Sequence, residues 1–340
     1  MAIKKTLYKF IKFVVIFSLI GAIFISWAFY AAIYKWRSSV QAEIEIVPGS
    51  SVQTISRQLA EQKVITTPKI FDVFARVRGV GQKMRAGEYV FPQGITLNEV
   101  MEKIIKGDVV KYQIKIIEGW TIADIASYLR KNPVIRNQAI VDRFESLTHD
   151  PVYIETLGFK GIKSLEGYLF PDTYNVLRPH KAEDLIERFV ARFKEIYSDD
   201  FEKLTKERNL SQQEIITLAS IIEKETGDVN ERPLIASVFF NRLKDGMALQ
   251  SDPTVIYGLK NFDGNLRKRD LGNPHPYNTY RHAGLPPGPI CNPGKASIKA
   301  VFFPATTQYL YFVSKNDGTH FFSKTLAEHS KAVTNYQLKR

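Results

Sequence analysis

Hydrophobic positions along the chain follow three patterns. From Phe13 to Tyr34 a run of 22 residues carries no charge and is rich in Phe, Ile, Val and Ala. At about 1.5 Å rise per residue, such a run spans a hydrocarbon core of roughly 30 Å and predicts a membrane-crossing helix. The second pattern is a repeat. Ile44, Ile46, Val47, Gly49, Val52, Ile55 and Leu59 match Ile114, Ile116, Ile117, Gly119, Ile122, Ile125 and Leu129, 70 residues further on, and Gly94–Val100 is a shorter echo. Alternating isoleucines predict a half-buried strand, the glycine a turn with positive φ, and Ser51, Thr96 and Thr121 the caps of the helices that follow. Between the copies, Pro68–Val77 reads as a helix and Glu88–Phe91 as a strand. The third pattern is Ser211–Thr226. Ser211 and Glu214 form a capping box, Ile215, Leu218, Ala219 and Ile222 an apolar stripe, and Gly227 a natural stop.

Charge changes this picture chiefly at the N-terminus. The chain has 340 residues, 47 Lys and Arg, and 35 Asp and Glu, a formal net charge of +12. Six of the cations lie in residues 1–37, which contain no acid. Half of the basic excess therefore flanks the apolar run, which argues against a nucleic-acid-coating protein. Lys4, Lys5, Lys9 and Lys12 precede the run and place the N-terminus in the cytoplasm. Trp27, Tyr30, Tyr34 and Trp36 crowd its far end as an interfacial aromatic belt would. A cleaved signal peptide has a shorter apolar region that ends in a small-x-small site. An uncleaved single-pass anchor is expected, with everything after Arg37 outside the cytoplasm. The one cysteine, Cys291, cannot form an internal disulfide and reads as a packed small hydrophobe.

Candidate chemistry concentrates in the second half. Glu223 and Glu225 lie in the last turn of the predicted helix, about 200° apart around its axis, and cannot both enter one site. Burial and the negative end of the helix dipole both raise the pKa of a carboxyl there, as a general acid at a glycosidic oxygen requires. Glu-Lys-Glu can equally be a solvated helix end. Downstream, Met247–Gly258, Tyr277–Gly294 and Tyr309–His329 are rich in Pro, Gly, Asn and Tyr. Such residues without a basic cluster suit sugar hydroxyls and acetamido groups better than phosphates. No Gly-rich phosphate loop, HExxH spacing or Gly-x-Ser-x-Gly elbow occurs. No metal, cofactor or nucleic acid is expected.

Two resemblances sharpen the reading. The repeat in the first third resembles a LysM-like module, a small βααβ unit that binds N-acetylglucosamine-containing glycans. A purely structural spacer has the same pattern. Nearly the whole chain resembles the YceG-like endolytic murein transglycosylases, through LEGYLFPDTY (165–174), ASIIEKETG (219–227), NRL, LQSDPTVIYG, YNTY, GLPPGPI with NPG, and YLYFV with a later Gly-x-His-x-Phe. The resemblance implies lytic cleavage of the β-1,4 bond between N-acetylmuramic acid and N-acetylglucosamine in nascent peptidoglycan, leaving a 1,6-anhydro end. It implies that one glutamic acid first protonates the leaving oxygen and then takes the proton of the muramic C6 hydroxyl. Carried across, that glutamate is Glu225, with Glu223 as runner-up, which is expected to bond to nearby backbone or to Arg242.

Gln250, Ser251, Asp252 and Thr254 are candidates to line the cleft, and Tyr277, Asn278 and Tyr280 to contact sugars, although each can instead fix its loop. Glu166 and Asp172 read as structural caps, with substrate contact as the alternative, and Glu118 as a structural residue at a glycine turn. The expected fold class is α+β: a tail at 1–12, a transmembrane helix at 13–34, a linker at 35–43, a LysM-like module at 44–107 and a catalytic domain at 108–340. Expected partners are glycan strands, the membrane and the enzymes that polymerise the glycan. A lysozyme-like hydrolase, a non-enzymatic glycan-binding scaffold and a cytosolic pyridoxal-phosphate lyase are the rival readings. The predicted anchor opposes the last.

Overall fold

Caps and apolar spacing build the first of two units in the computed structural model, Met1–Tyr112 with Asn175–Arg178. The structure describes residues 2–197 and 199–338, and the side chains of Lys4 and Lys5 lie outside the described set. Helix α1 spans Ala2–Tyr34, and its segment Leu7–Tyr34 is long and apolar enough to cross a membrane. Among the described residues nothing covers most of it: Phe17 is 69% exposed and Ile25 70%.

Strand β1 (Ala42–Ile46), helices α2 (Val52–Glu61) and α3 (Pro68–Val77), strand β2 (Gly87–Phe91) and helix α4 (Leu97–Lys106) follow. β1 and β2 pair antiparallel, with Ile44 opposite Tyr89. The turn of the repeat forms as the sequence predicts. Gly49, Gly94 and Gly119 have φ of 84°, 86° and 78°, values that residues with a Cβ seldom take. Ser51, Thr96 and Thr121 accept the backbone N–H three residues on, and Thr96 and Thr121 complete capping boxes with Glu99 and Asp124.

The last turns of α1 belong to the core of this unit. Ile33 is 2% exposed among Ile44, Leu59, Phe71 and Leu97, and Tyr34 meets the Phe74 ring edge-on at 6.2 Å. Arg37 donates to the Gly94 carbonyl at 2.7 Å. Burying a side chain the size of Ile33 contributes about 1.5–3 kcal/mol. A chain shortened to begin after Trp27 is therefore expected to melt like the full chain in detergent. One that begins after Arg37 should lose about that much stability in this unit. Equal melting of the two in calorimetry would show that the end of α1 adds nothing.

The second unit comprises Gln113–Tyr174 and Pro179–Arg340. In chain order the elements from the boundary onward are β3 (Tyr112–Lys115), α5 (Ile122–Lys131), α6 (Ala139–Leu147), α7 (Pro151–Thr156), β4 (Thr173–Val176) and α8 (Ala182–Ile196). Then come α9 (Asp199–Arg208), α10 (Gln212–Glu225), α11 (Arg232–Lys244), α12 (Asp252–Tyr257), α13 (Lys295–Phe302), β5 (Tyr311–Ser314), β6 (His320–Ser323) and α14 (Leu326–Val333). β3 pairs with β4, and β5 with β6 antiparallel. The chain is thus mixed helix and strand.

Helix α10 is the spine of this unit, packed against α9, α11, α12 and α13. Its eight residues from Ile215 to Ile222 are all buried, a wider apolar surface than one stripe. Ser220 among them is satisfied internally. The Ser220 hydroxyl donates to the Thr217 carbonyl at 2.7 Å and accepts the Ile290 N–H at 3.0 Å.

Candidate active site

Two features fix the ends of α10. At its start, Ser211 Oγ accepts the Glu214 N–H, and the Glu214 carboxylate accepts the Ser211 N–H at 2.7 Å. At its end, Gly227 does not supply the expected stop: it has no positive φ. Thr226 breaks the helix instead by turning extended (φ −145°, ψ 140°), and its hydroxyl accepts the Asp228 N–H at 3.0 Å. A side-chain acceptor replaces the left-handed glycine cap.

The two glutamates diverge as their spacing requires. Glu223 Oε1 accepts from Arg232 Nη2 at 2.9 Å, and its Oε2 accepts the Gly294 N–H at 2.9 Å. The side chains of Glu223 and Arg232 are only 6% and 5% exposed. Of the two expected partners, backbone is met in the Gly294 N–H, and Arg242 is corrected: it donates instead to the carbonyls of Leu310 at 2.6 Å and Leu249 at 2.8 Å. The short turn at 226–231 brings the first residue of α11 back to Glu223, while Arg242 lies near the far end of that helix. Glu118 is held beside this pair, 3.7 Å from Arg232. Burial and the Glu223 charge raise its pKa.

Glu225 faces elsewhere. Its Oε1 accepts the Ser251 hydroxyl at 2.5 Å, and the residue opens onto a cavity of about 330 Å³. Burial pushes its pKa up to about 7; the nearby Asp252 charge adds to this, and the Ser251 hydrogen bond and Arg242 oppose it. Burial therefore lets this carboxyl keep its proton far above the ordinary carboxylate range, as a general acid needs.

Of the predicted cleft residues, Gln250, Asp252 and Tyr280 line this cavity with Glu225. Tyr280 donates to Asp252 Oδ1 at 2.6 Å. Gln250 is held at φ 52°, a conformation uncommon for a residue with a side chain, with its N–H on the Thr279 carbonyl at 3.1 Å. Ser251 stands behind the wall, 2% exposed, with its hydroxyl on Glu225. Thr254, Tyr277 and Asn278 are not brought to the wall. Thr254 is fully buried, donates to the Ser251 carbonyl at 2.6 Å and meets Thr279 Oγ1 at 2.8 Å. Asn278 donates to the carbonyls of Leu271 and Asn273. Tyr277 packs on Tyr257, ring centres 4.8 Å apart. These three shape the loops that carry Gln250 to Asp252 and Tyr280.

The rest of the wall was foreseen only as the segment Tyr309–His329 and not residue by residue. Phe312, Ser314, His320 and His329 come from the β5–β6 hairpin and α14, with Arg242 from α11. The only sequence signals for them were the YLYFV and Gly-x-His-x-Phe motifs and the position of NRL.

Glu166 occupies a second place in this unit. Its carboxyl accepts the Ile122 N–H at 3.1 Å, at the start of α5, and the Asn292 side-chain amide at 3.2 Å. It thus caps a helix, as the sequence suggests, and Asp172 is held by Arg192 at 2.7 Å. A cavity of about 700 Å³ lies beside Glu166, walled by Pro253, Ile256, Tyr257 and Phe262. Burial pushes the Glu166 pKa up to about 8. The folded state thus keeps a proton that the unfolded chain releases near 4.5. The ionisation penalty is absent below about 4.5 and complete above about 8, so stability falls as pH rises through that window. Glu166→Gln is expected to flatten this fall, by on the order of 3–5 kcal/mol at alkaline pH. Denaturant midpoints at mildly acid and alkaline pH measure it, and parallel pH slopes for variant and wild type would rule it out. Cys291 is fully buried, with Sγ 3.3 Å from the Ser220 carbonyl, and burial raises its thiol pKa.

Known proteins share this arrangement of elements and motifs. The model of the YceG-like family matches residues 44–335. The chain is 35% identical over 311 residues to an endolytic murein transglycosylase of Bacillus subtilis (strain 168), covering 88% of this chain and 86% of that protein. It is 27% identical over 320 residues to an endolytic murein transglycosylase of Streptococcus pneumoniae serotype 2, covering 86% of this chain and 58% of the longer relative. The crystal structure of a YceG-like protein from Listeria monocytogenes superposes with a TM-score of 0.57 at 33% identity, covering 86% of this chain and 98% of that one.

Proposed function

The chain belongs to the YceG-like family, and on that premise we propose that it is a membrane-anchored lytic murein transglycosylase that cuts nascent glycan strands internally. The observation that carries this reading is Glu225: a carboxyl with its pKa near 7, on the wall of a cavity lined with hydrogen-bonding side chains. Ser251 occupies Oε1, which leaves Oε2 to carry the proton towards the glycosidic oxygen between N-acetylmuramic acid and N-acetylglucosamine. Departure of that oxygen leaves positive charge on the muramic C1, and the carboxylate just formed stabilises it. The C6 oxygen then closes on C1 as its proton passes to that carboxylate, which gives the 1,6-anhydro end and restores the acid. Water takes no part, and no second carboxylate is required as nucleophile, in contrast to the usual glycosidase pair. Gln250, Asp252 and Tyr280 bind the sugars, and Ser251, Thr254, Tyr277 and Asn278 hold the loops that present them.

The exposed apolar surface of α1 supports a single-pass anchor, and the flanking lysines support a cytoplasmic N-terminus with the rest outside. The order β1–α2–α3–β2, closed by an antiparallel pair, supports a LysM-like glycan-binding role for 44–107, with the catalytic domain at 108–340. An anchored enzyme meets strands close to where they are polymerised, so the synthesising enzymes are its natural partners. The reading is tested by incubating the full chain in detergent with uncrosslinked glycan and weighing the new ends. Anhydro-muramic ends within formerly long strands are expected. Reducing ends, heavier by one water, would make the enzyme a lysozyme-like hydrolase.

A further inference from the structure

The wall of the Glu225 cavity contains an oriented histidine. Glu231, 8% exposed, stands one residue before α11 and grips His320 twice. Its Oε1 accepts the His320 backbone N–H at 2.7 Å, and its Oε2 accepts from Nδ1 at 2.6 Å. Because a carboxylate oxygen accepts, Nδ1 carries the hydrogen, and Nε2 is left as the ring nitrogen with a free lone pair. Phe312 meets the imidazole edge-on with centroids 5.5 Å apart, so the ring has little freedom to turn. The side chain is 12% exposed and lines the cavity that Glu225 also lines. Glu231 also meets the end of α10: the hydroxyl of Thr226, the residue after Glu225, lies 3.4 Å from its Oε2. One carboxylate thus ties the residue that follows the acid to the histidine that lines the same cavity.

We propose that His320, oriented by Glu231, is the base that takes the C6 hydroxyl proton as the anhydro ring closes. This deepens the lytic reading above and rests on it. In place of one glutamate acting twice, two groups act on the two ends of one displacement. The proton of Glu225 passes to the leaving oxygen as the C1–O bond breaks. The C6 oxygen forms its bond to C1, and its proton passes to His320 Nε2. The imidazolium is stabilised by Glu231, and returns the proton to the Glu225 carboxylate once the product leaves, so no co-reactant is consumed.

The decisive variants are His320→Gln and Glu231→Gln in the full chain, assayed on uncrosslinked glycan beside wild type. Glu231→Gln keeps the shape but presents an amide donor to Nδ1, which forces the hydrogen onto Nε2 and removes the base. For both variants kcat should fall about 10²–10⁴-fold with KM little changed, while thermal melting of Glu231→Gln stays near wild type. His320→Gly should regain turnover with added imidazoles, at rates that follow their basicity. If both glutamine variants turn over at the wild-type rate, the inference is overturned. It is equally overturned by a rescue that ignores basicity, because imidazole is then only filling space. Anhydro ends from wild type with no effect of the variants sink this inference alone. Reducing ends from wild type sink the lytic reading and this inference together.

Discussion

Glu225→Gln is expected to lose about 10²–10⁴-fold in glycan cleavage while the protein remains folded. Glutamine has the same shape, and its amide oxygen still accepts the Ser251 hydroxyl that now lies 2.5 Å from Oε1. What disappears is the acidic proton. The effect on stability has the opposite sign. The folded pKa of Glu225 stands at about 7, above the ordinary 4.5, so the folded state holds a proton that the unfolded chain has released. The penalty for ionising it in place is absent below about 4.5 and complete above about 7. The variant should therefore melt at or above wild type at alkaline pH, by about 1–3 kcal/mol, and near wild type in mild acid. Loss of activity together with loss of fold would remove the catalytic argument for this residue.

Glu223→Gln, two positions away, should do the reverse. Glu223 and Arg232 are a buried ion pair, and Arg232 Nε and Nη1 have no hydrogen-bond partner among the described residues. Replacing the carboxylate leaves a buried guanidinium with Glu118 at 3.7 Å as its remaining counter-charge. Breaking such a pair from one side costs about 3–5 kcal/mol. Glu118 keeps the expected value towards the lower end, which corresponds to a fall in melting temperature on the order of 10 °C. Glu223 Oε2 also accepts the Gly294 N–H, so the NPG turn should loosen with it. The fraction that is folded should still cleave glycan. The motif Glu-Lys-Glu thus divides into one residue for stability and one for chemistry, and the pair of variants measures that division. Loss of cleavage by folded Glu223→Gln, with Glu225→Gln active, would reverse the assignment.

How much of this was legible in the chain depended on the range of the interaction. Caps, turns and helical spacing are local. Ser51, Thr96, Thr121 and Ser211 therefore sit where the sequence places them, and the divergence of Glu223 and Glu225 followed from helix geometry alone. Partners across a turn were harder to read. Arg242 was the side chain expected for Glu223, and only the path of residues 226–231 brings Arg232 there in its place. The Gly227 stop failed because the Thr226 side chain offered another cap, a choice that depends on Glu231 and Asp228 nearby. Hardest of all was the division of polar residues between cavity and packing. Thr254 and Asn278 look like sugar-binding residues in composition, yet they spend their hydrogen bonds on the loops. His320 lies almost 100 residues from Glu225 and reaches the same cavity through Glu231 and the β5–β6 hairpin, a juxtaposition that no local pattern encodes.

The central claim is that a buried, protonated Glu225 is the acid of glycan cleavage. The most direct measurement is the rate of cleavage of uncrosslinked glycan under single-turnover conditions, from about pH 5 to about pH 9, for the full chain and its Glu225→Gln variant. The wild-type rate should fall as pH rises through about 7, where that carboxyl releases its proton. The variant should lie at the baseline throughout. Cleavage by Glu225→Gln at the wild-type rate, with the same pH profile, would contradict the account.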